Sequence, residues 1–332
     1  MDQIIKIVIS LLVKTIIVLV IVLLSSFGWK PLAKFNKKLT DAEIETSERL
    51  EDIVCRLAED IGIRNYQHYK NLEKSALFIT EAFENMGYAV EIMSYEVNGQ
   101  IFKNIIAETS NKNFSMDTII IGAHYDSCFN PGADDNATGI AGLIELARLF
   151  KDVKLNHNLR FVAFVNEEPP FFQTKSMGSF VYTNRIQSSG EKVKVAVVLE
   201  MLGYYSENYF SQKYLPLIGP FYPNKANFVA IVGNFKSRKI AHNLYKAFKD
   251  SKRFPVERII LPETIPGISY SDHWSFWRVG IPAVMITDTA YLRNSNYHEK
   301  TDLPNTLNFG KMAKVIFGLK DSIVALDQEG NK

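Results

Sequence analysis

The strongest constraint on this chain is a succession of short, continuous apolar runs. Thr118–Ala123 (TIIIGA), Leu159–Val165 (LRFVAFV), Val193–Leu199 (VKVAVVL), Phe228–Val232, Val256–Leu261 and Ala283–Thr287 are rich in β-branched residues and have no polar face. Between and after them lie segments of helical period: Ile140–Phe150, Met177–Arg185, Ser237–Phe248 and a last helix from Phe309 to Leu326. Strands without a polar face must be covered on both sides, and intervening helices favour parallel neighbours. A mainly parallel sheet with helices on both faces is therefore expected.

Ahead of this pattern, Thr40–Gly62 reads as a helix with a Thr40/Glu43 capping box, and Asn71–Met86 as a second helix stopped by Gly87. Tyr88–Glu96 and Ile101–Glu108 are joined through Asn98-Gly99, a strong hairpin signal. Gly203–Lys225 is aromatic-rich, has no clear period and carries Pro216, Pro220 and Pro223. Long irregular segments in compact domains are often functional, so a substrate lid is expected there. There is no internal repeat.

The first residues set a different constraint. Ile7–Phe27 is almost wholly apolar, and Trp29 and Lys30 follow as an interfacial anchor. As a helix it reaches roughly 31 Å, about one hydrocarbon thickness. Lys14 interrupts it, at a cost of about 2.5–3.5 kcal/mol unless it snorkels. The expectation is a membrane segment over residues 1–30 and a single catalytic domain over residues 31–332. A secretory signal ending near Ser26-Phe27-Gly28 is the rival reading. The lysines after the span favour a cytoplasmic C-terminal side, whereas signal-type readings put it outside; an extracytoplasmic domain on a single-pass anchor is expected.

Composition narrows the chemistry. With 47% apolar and 22% charged residues the chain is neither disordered nor fibrous, and its formal charge of +2 gives no sign of a nucleic-acid partner. The only cysteines, Cys55 and Cys128, cannot build a thiolate-based metal site or a disulfide framework. Catalysis must then use imidazoles, carboxylates or hydroxyls.

Ligands in such folds bind beyond the carboxyl ends of the strands. Thr118–Ala123 runs into His124-Tyr125-Asp126, Leu159–Val165 into Asn166-Glu167-Glu168, Val193–Leu199 into Glu200, and Ala283–Thr287 leads to a loop with His298. Gly132-Ala133-Asp134-Asp135-Asn136-Ala137-Thr138-Gly139 opens the helix at Ile140. Each piece alone has an ordinary explanation, such as a cap or a solvated turn. Together, histidines and carboxylates converging on one crevice require cations to neutralise them. Nitrogen and carboxylate donors without thiolate suit zinc, and five side chains suit two ions about 3.5–4 Å apart. One glutamate of the Glu167-Glu168 pair then stays free as a general base.

GAHYDS, PGADDNATG, NEE and the late YH strongly resemble the co-catalytic di-zinc exopeptidases, which include bacterial leucyl aminopeptidases, aminopeptidase Y and glutamate carboxypeptidases. The similarity spans roughly Leu50 to Leu326 and implies a three-layer α/β/α sandwich around a mixed sheet. It also implies two Zn2+ ions held by His124, Asp134, Glu168, Glu200 and His298, with Asp134 bridging. By the same resemblance Glu167 is the catalytic base and Tyr297 stabilises the oxyanion. Asp126 orients His124, and Asp135 and Asp272 support the ligands. Many relatives have Asp where Glu200 stands, and Pro169-Pro170-Phe171-Phe172 replaces a short glycine-containing turn, which bears on substrate preference. The implied activity is hydrolysis of N-terminal residues from peptides. A one-zinc glutaminyl-cyclase-like acyltransferase, a carboxypeptidase or dipeptidase using Arg278 or Arg293 as a carboxylate clamp, and an inactive binding domain are the alternatives. Cys128 lies close to the site but has no His-plus-orienter arrangement to make it a nucleophile, and the resemblance places Asp272 and His273 as shaping groups near the pocket; His68, His157 and His242, without acidic companions, are read as ordinary structural residues.

Overall fold

A computed structural model of the chain describes residues 2–108 and 116–328, so the expected boundary at residue 332 lies outside the described residues. In chain order the helices and strands are α1 (Asp2–Ser25), α2 (Asp41–Cys55), α3 (Tyr69–Asn85), β1 (Ala89–Val97), β2 (Gln100–Glu108), β3 (Thr118–His124) and α4 (Gly139–Phe150). There follow β4 (Asn158–Phe164), α5 (Gly178–Ser189), β5 (Val193–Glu200), β6 (Val229–Gly233), α6 (Arg238–Ser251), β7 (Val256–Ile260), α7 (His273–Arg278), β8 (Ala283–Thr287) and α8 (Phe309–Gln328).

The strands form one sheet in the order β1-β2-β4-β3-β5-β8-β6-β7. The four central strands β4, β3, β5 and β8 are mutually parallel. The β1–β2 hairpin, the β2–β4 pair and the β6–β8 pair are antiparallel, so the sheet is mixed. Alternate side chains of each central strand enter opposite layers, as strand geometry demands. Ile119, Ile121, Val197 and Ile286 pack under α2, α3, α4, α6 and α8, whereas Ile120, Val198 and Met285 pack under α5 and α7. The three-layer sandwich is thus present, with its helices unequally divided.

Sequence signals account for most elements. The Thr40 hydroxyl accepts from the Glu43 amide at 3.3 Å, and the Glu43 carboxylate accepts from the Thr40 amide at 2.9 Å, closing the capping box that starts α2. α2 then runs on through a wider turn at Arg56–Ile61. Asn98 and Gly99 both take positive φ at the hairpin tip, where these residue types are least strained. The short helix α7 had no sequence expectation because its six residues, HWSFWR, give no period to read. Gly203–Lys225 contains no strand and only a short 3-10 turn at Gly219–Phe221, as its prolines require.

Helix α1 stands apart. Its Ile5–Ser25 stretch has a mean hydropathy of 3.2, and from Ile5 to Leu24 its residues are exposed, the rest of the chain covering only its last turn at Ser25. A helix apolar all round belongs in a core or in lipid, and no core receives this one. By length and composition it can cross a membrane.

Close packing under the sheet gives a direct test. A Cβ on Gly178 would sit 2.3 Å from the Val165 carbonyl oxygen and 2.4 Å from Asn104 Oδ1. Gly178→Ala should lower stability by about 2 kcal/mol or more, since backbone has to move; denaturant unfolding with an unchanged midpoint would contradict this packing.

Candidate metal centre

Because β3, β4, β5 and β8 run parallel, their carboxyl ends open onto one edge of the sheet. Register places His124 opposite Phe164 and Glu200 opposite Thr287. His124 and Glu200 are the last residues of their strands; Glu167 and Glu168 follow β4, and His298 lies in the loop after β8. All except His298 are buried.

The carboxylate of Asp135 lies between the two histidines. His124 Nε2 is 3.4 Å from Asp135 Oδ1, and His298 Nε2 is 3.1 Å from Asp135 Oδ2. Glu200 Oε2 is 3.4 Å from His124 Nε2, and Glu168 Oε2 is 3.4 Å from His298 Nε2. His124, Asp135 and Glu200 form one compact donor triad, and Glu168 and His298 form a second group with Cys128. His124 Nε2 is buried without a hydrogen-bond partner although acid oxygens surround it. A buried polar atom left unpaired among converging anions fits a cation-binding position.

This geometry corrects the expectation that Asp134 takes the bridging place. Asp134 is turned back into the fold: Oδ1 accepts from the Gly203 amide at 2.9 Å and Oδ2 from Asn294 Nδ2 at 2.7 Å. Burial and the neighbouring Asp288 push its carboxyl well above the usual range. Successive side chains at this turn point to opposite sides, so only one of the adjacent aspartates can face the histidines. The pair Asp134-Asp135 looks equivalent in sequence and is resolved only by tertiary contacts. Burial opposes ionisation of Asp135, but the His124 and His298 imidazoles on either side of it hold its carboxyl below the usual range.

The turn is fixed from beneath. Asp302 accepts from the Asp134 amide at 2.9 Å and the Asp135 amide at 3.1 Å, one carboxylate oxygen for each. Arg64 is fully buried and donates to the carbonyls of Tyr125, Pro131 and Gly132 at 2.7, 2.6 and 2.7 Å. It thus ties together both ends of the loop that leaves His124. Neither residue had a motif to announce it, since each acts on backbone atoms from a distant part of the sequence.

Asp126 accepts from the amides of Glu167 and Glu168 at 3.1 and 3.0 Å. Its backbone carbonyl, at 3.2 Å, meets His124 Nδ1 more closely than its carboxylate does at 3.6 Å. Orientation of His124 through a carbonyl leaves the Asp126 carboxylate to place the glutamates. Glu167 Oε2 lies 3.9 Å from His124 Nε2, and burial followed by the neighbouring Glu168 and Glu200 holds its carboxyl well above the usual range. Ser271 Oγ donates to Glu200 at 2.7 Å, and Asp272 beside it is buried, its carboxyl pushed up to about 7 by burial.

Tyr297 stacks on His298, with ring centres 3.9 Å apart, and burial keeps its hydroxyl protonated. It also lines an apolar cavity reached from Glu200, with Ile218, Phe228, Met285 and Tyr291 among its walls. The Cys128 amide donates to Glu168 Oε1 at 3.1 Å. Cys128 therefore lies at the site, as its place just after His124-Tyr125-Asp126 in the sequence suggests. The other four histidines have partners of their own: His68 meets Asn65 Oδ1 at 3.1 Å, His157 pairs with Asp327 at 2.9 Å, His242 meets Arg258, and buried His273 meets the Ile268 carbonyl at 2.7 Å.

The site geometry and fold together define a metal-dependent enzyme, and the family match makes it a peptidase. Residues 104–320 match Peptidase family M28, and the chain belongs to that family. The chain is 38% identical over 282 residues to YfbL of Escherichia coli K12, which is described as uncharacterized; the match covers 82% of this chain and 86% of that one. Among solved structures, the zinc aminopeptidase BSAP of Bacillus subtilis superposes with a TM-score of 0.69 at 15% identity, covering 86% of this chain and 96% of that chain. A Fimbriiglobus ruber glutaminyl cyclase does so with a TM-score of 0.64 at 21% identity, covering 90% and 99%.

The cluster carries a consequence for pH. In the ion-free protein, burial pushes Glu168, Asp272 and Asp302 up to about 7, against ordinary values of 4.5 and 3.8. From about pH 4.5 to about pH 7 the folded chain therefore holds more protons than the unfolded chain, and stability falls as pH rises. Melting of chelator-treated protein should occur at a lower temperature at pH 7.5 than at pH 5, roughly, with added zinc removing the difference. An ion-free melting temperature that rises over this range would contradict these environments.

Proposed function

We propose that this chain is a zinc aminopeptidase that removes N-terminal residues from peptides. The observation that carries the reading is the shared position of Asp135 between two donor groups, with Glu167 beside them. His124 and Glu200 would complete one Zn2+ site and Glu168 and His298 the other, Asp135 contributing to both. Ions bound there would polarise the scissile carbonyl and acidify a water.

The protein's own groups supply the rest. Glu167, whose raised affinity for protons suits a general base working near neutrality, takes a proton from the attacking water and passes it to the leaving amine. Tyr297 stays protonated and donates toward the oxyanion side. The apolar cavity beyond Glu200 and Tyr297 receives the N-terminal side chain, and the surrounding carboxylates favour the ammonium of a free N-terminus. A carboxylate clamp gains no support: Arg293 is engaged with Gln212 and the Phe228 carbonyl, and Arg278 lies over Trp274. The glutaminyl-cyclase likeness keeps a one-ion acyltransferase as the second reading. Residues 31–332 act as one catalytic domain, and α1 is an uncleaved single-pass anchor with that domain outside the cytoplasm.

Glu167→Gln should retain its zinc while losing about 10²–10⁴-fold in kcat on aminoacyl-p-nitroanilides. Near-normal turnover would remove Glu167 from its role. Metal analysis separates the two readings, because two zinc ions per chain with chelator-sensitive aminopeptidase activity supports the hydrolase and one ion with glutamine cyclisation supports the other. Asp135→Asn should lower zinc content far more than Asp134→Asn, measured on equally folded protein. Asp302→Asn, which removes an acceptor for the Asp134–Asp135 amides, should weaken zinc binding by about 10–100-fold in competition with a chelating dye.

A further inference from the structure

The apolar helix α1 does not end in isolation. Its last turn is gripped by the irregular segment after β5. The Leu217 amide donates to Ser25 Oγ at 2.9 Å, and the Tyr214 amide donates to the Ser26 carbonyl at 2.9 Å. Phe27 and Lys213 form an isolated antiparallel bridge, and Gly219 packs so closely on the Ser25 and Phe27 carbonyls that a Cβ would lie 2.2 Å from Phe27 oxygen. Phe210 stacks edge-on against Phe27 at 5.8 Å, and residues 210–221 therefore form a collar around the carboxyl end of α1.

The collar exposes what a water-facing loop ordinarily hides. Leu217 is 65% exposed and Phe221 is 73% exposed, and Phe210, Trp29 and Pro216 are exposed beside the same helix end. Lys34 and Lys213 are also exposed there. If α1 spans a bilayer, backbone bonded directly to its last turn lies at the level of the headgroups. Apolar and aromatic tips with flanking lysines match that layer.

We infer that residues 210–221 are a membrane-seated collar that inserts Leu217 and Phe221 into the bilayer interface and holds the catalytic domain against it. The inference rests on the reading of α1 as an uncleaved anchor. It has a consequence for the site, because the inner face of the same collar, through Tyr214, Leu215 and Ile218, forms a wall of the cavity that opens at Glu200 and Tyr297. The cavity is thus bounded on one side by a segment resting on lipid. Apolar N-termini of peptides partitioned at the membrane surface are the substrate class this placement favours.

The test uses the full chain reconstituted in mixed phosphatidylcholine–phosphatidylglycerol vesicles. A photoreactive benzophenone amino acid is placed singly at Leu19, Leu217, Phe221 or Phe235, and lipid adducts are measured on the intact protein by mass. Phe235 is 59% exposed but follows β6 at the sheet edge opposite the site, which makes it an exposed aromatic control. The inference expects adducts at Leu19, Leu217 and Phe221, several-fold above Phe235. Adducts at Leu19 with Leu217 and Phe221 no higher than Phe235 overturn the collar while leaving the anchor intact. No adduct at Leu19, or a chain shortened near residue 26, overturns the anchor and the collar together.

Discussion

Everything at this site depends on holding a cluster of carboxylates together in a place that excludes much of the water. Left alone, Asp135, Glu167, Glu168 and Glu200 would repel one another, and burial would force protons onto them. The fold meets this in two ways. It places the His124 and His298 imidazoles on either side of Asp135, and it spends backbone amides on the acids around them. Asp126 and Asp302 are acids that do not face the centre; they grip the backbone of residues that do.

The parallel strands make that arrangement possible. Four neighbouring strands that end on one edge deliver His124, Glu167, Glu168 and Glu200 from distant parts of the sequence to within a few ångströms, and only His298 comes from a longer loop, after β8. The antiparallel pairs lie outside this group, at β1–β2–β4 on one side and β6–β8 on the other, where they widen the sheet without changing which edge carries the chemistry. The crevice floor is then rigid and its rim is made of loops.

Much of this was legible before the fold was known. Continuous β-branched runs separated by amphipathic helices gave the layers, and polar residues ending apolar strands gave the edge. His124, Glu167, Glu168, Glu200 and His298 could be read because each breaks an apolar pattern at a strand end or follows one closely. The choice between Asp134 and Asp135 could not. Both occupy the same polar turn, and their roles part only through Gly203, Asn294 and Asp288, which periodicity cannot place beside them. Cys128 could be placed near the site from its position after His124, but its grouping with Glu168 and His298 rests on loops that meet only in the fold. The antiparallel β1–β2 hairpin was announced by Asn98-Gly99, but the β2–β4 and β6–β8 pairings and α7 were not, because distant pairing partners and single turns leave little local signal.

Arg64 has a further implication. The family match begins at residue 104, yet this guanidinium, which closes the loop between His124 and Gly132, belongs to the region in front of it. The region that precedes the first strand is accordingly part of the frame that holds the centre in shape and not a mere leader to it. A fragment cut to the matched boundaries would keep every acid and imidazole of the centre and lose the hand that closes around them.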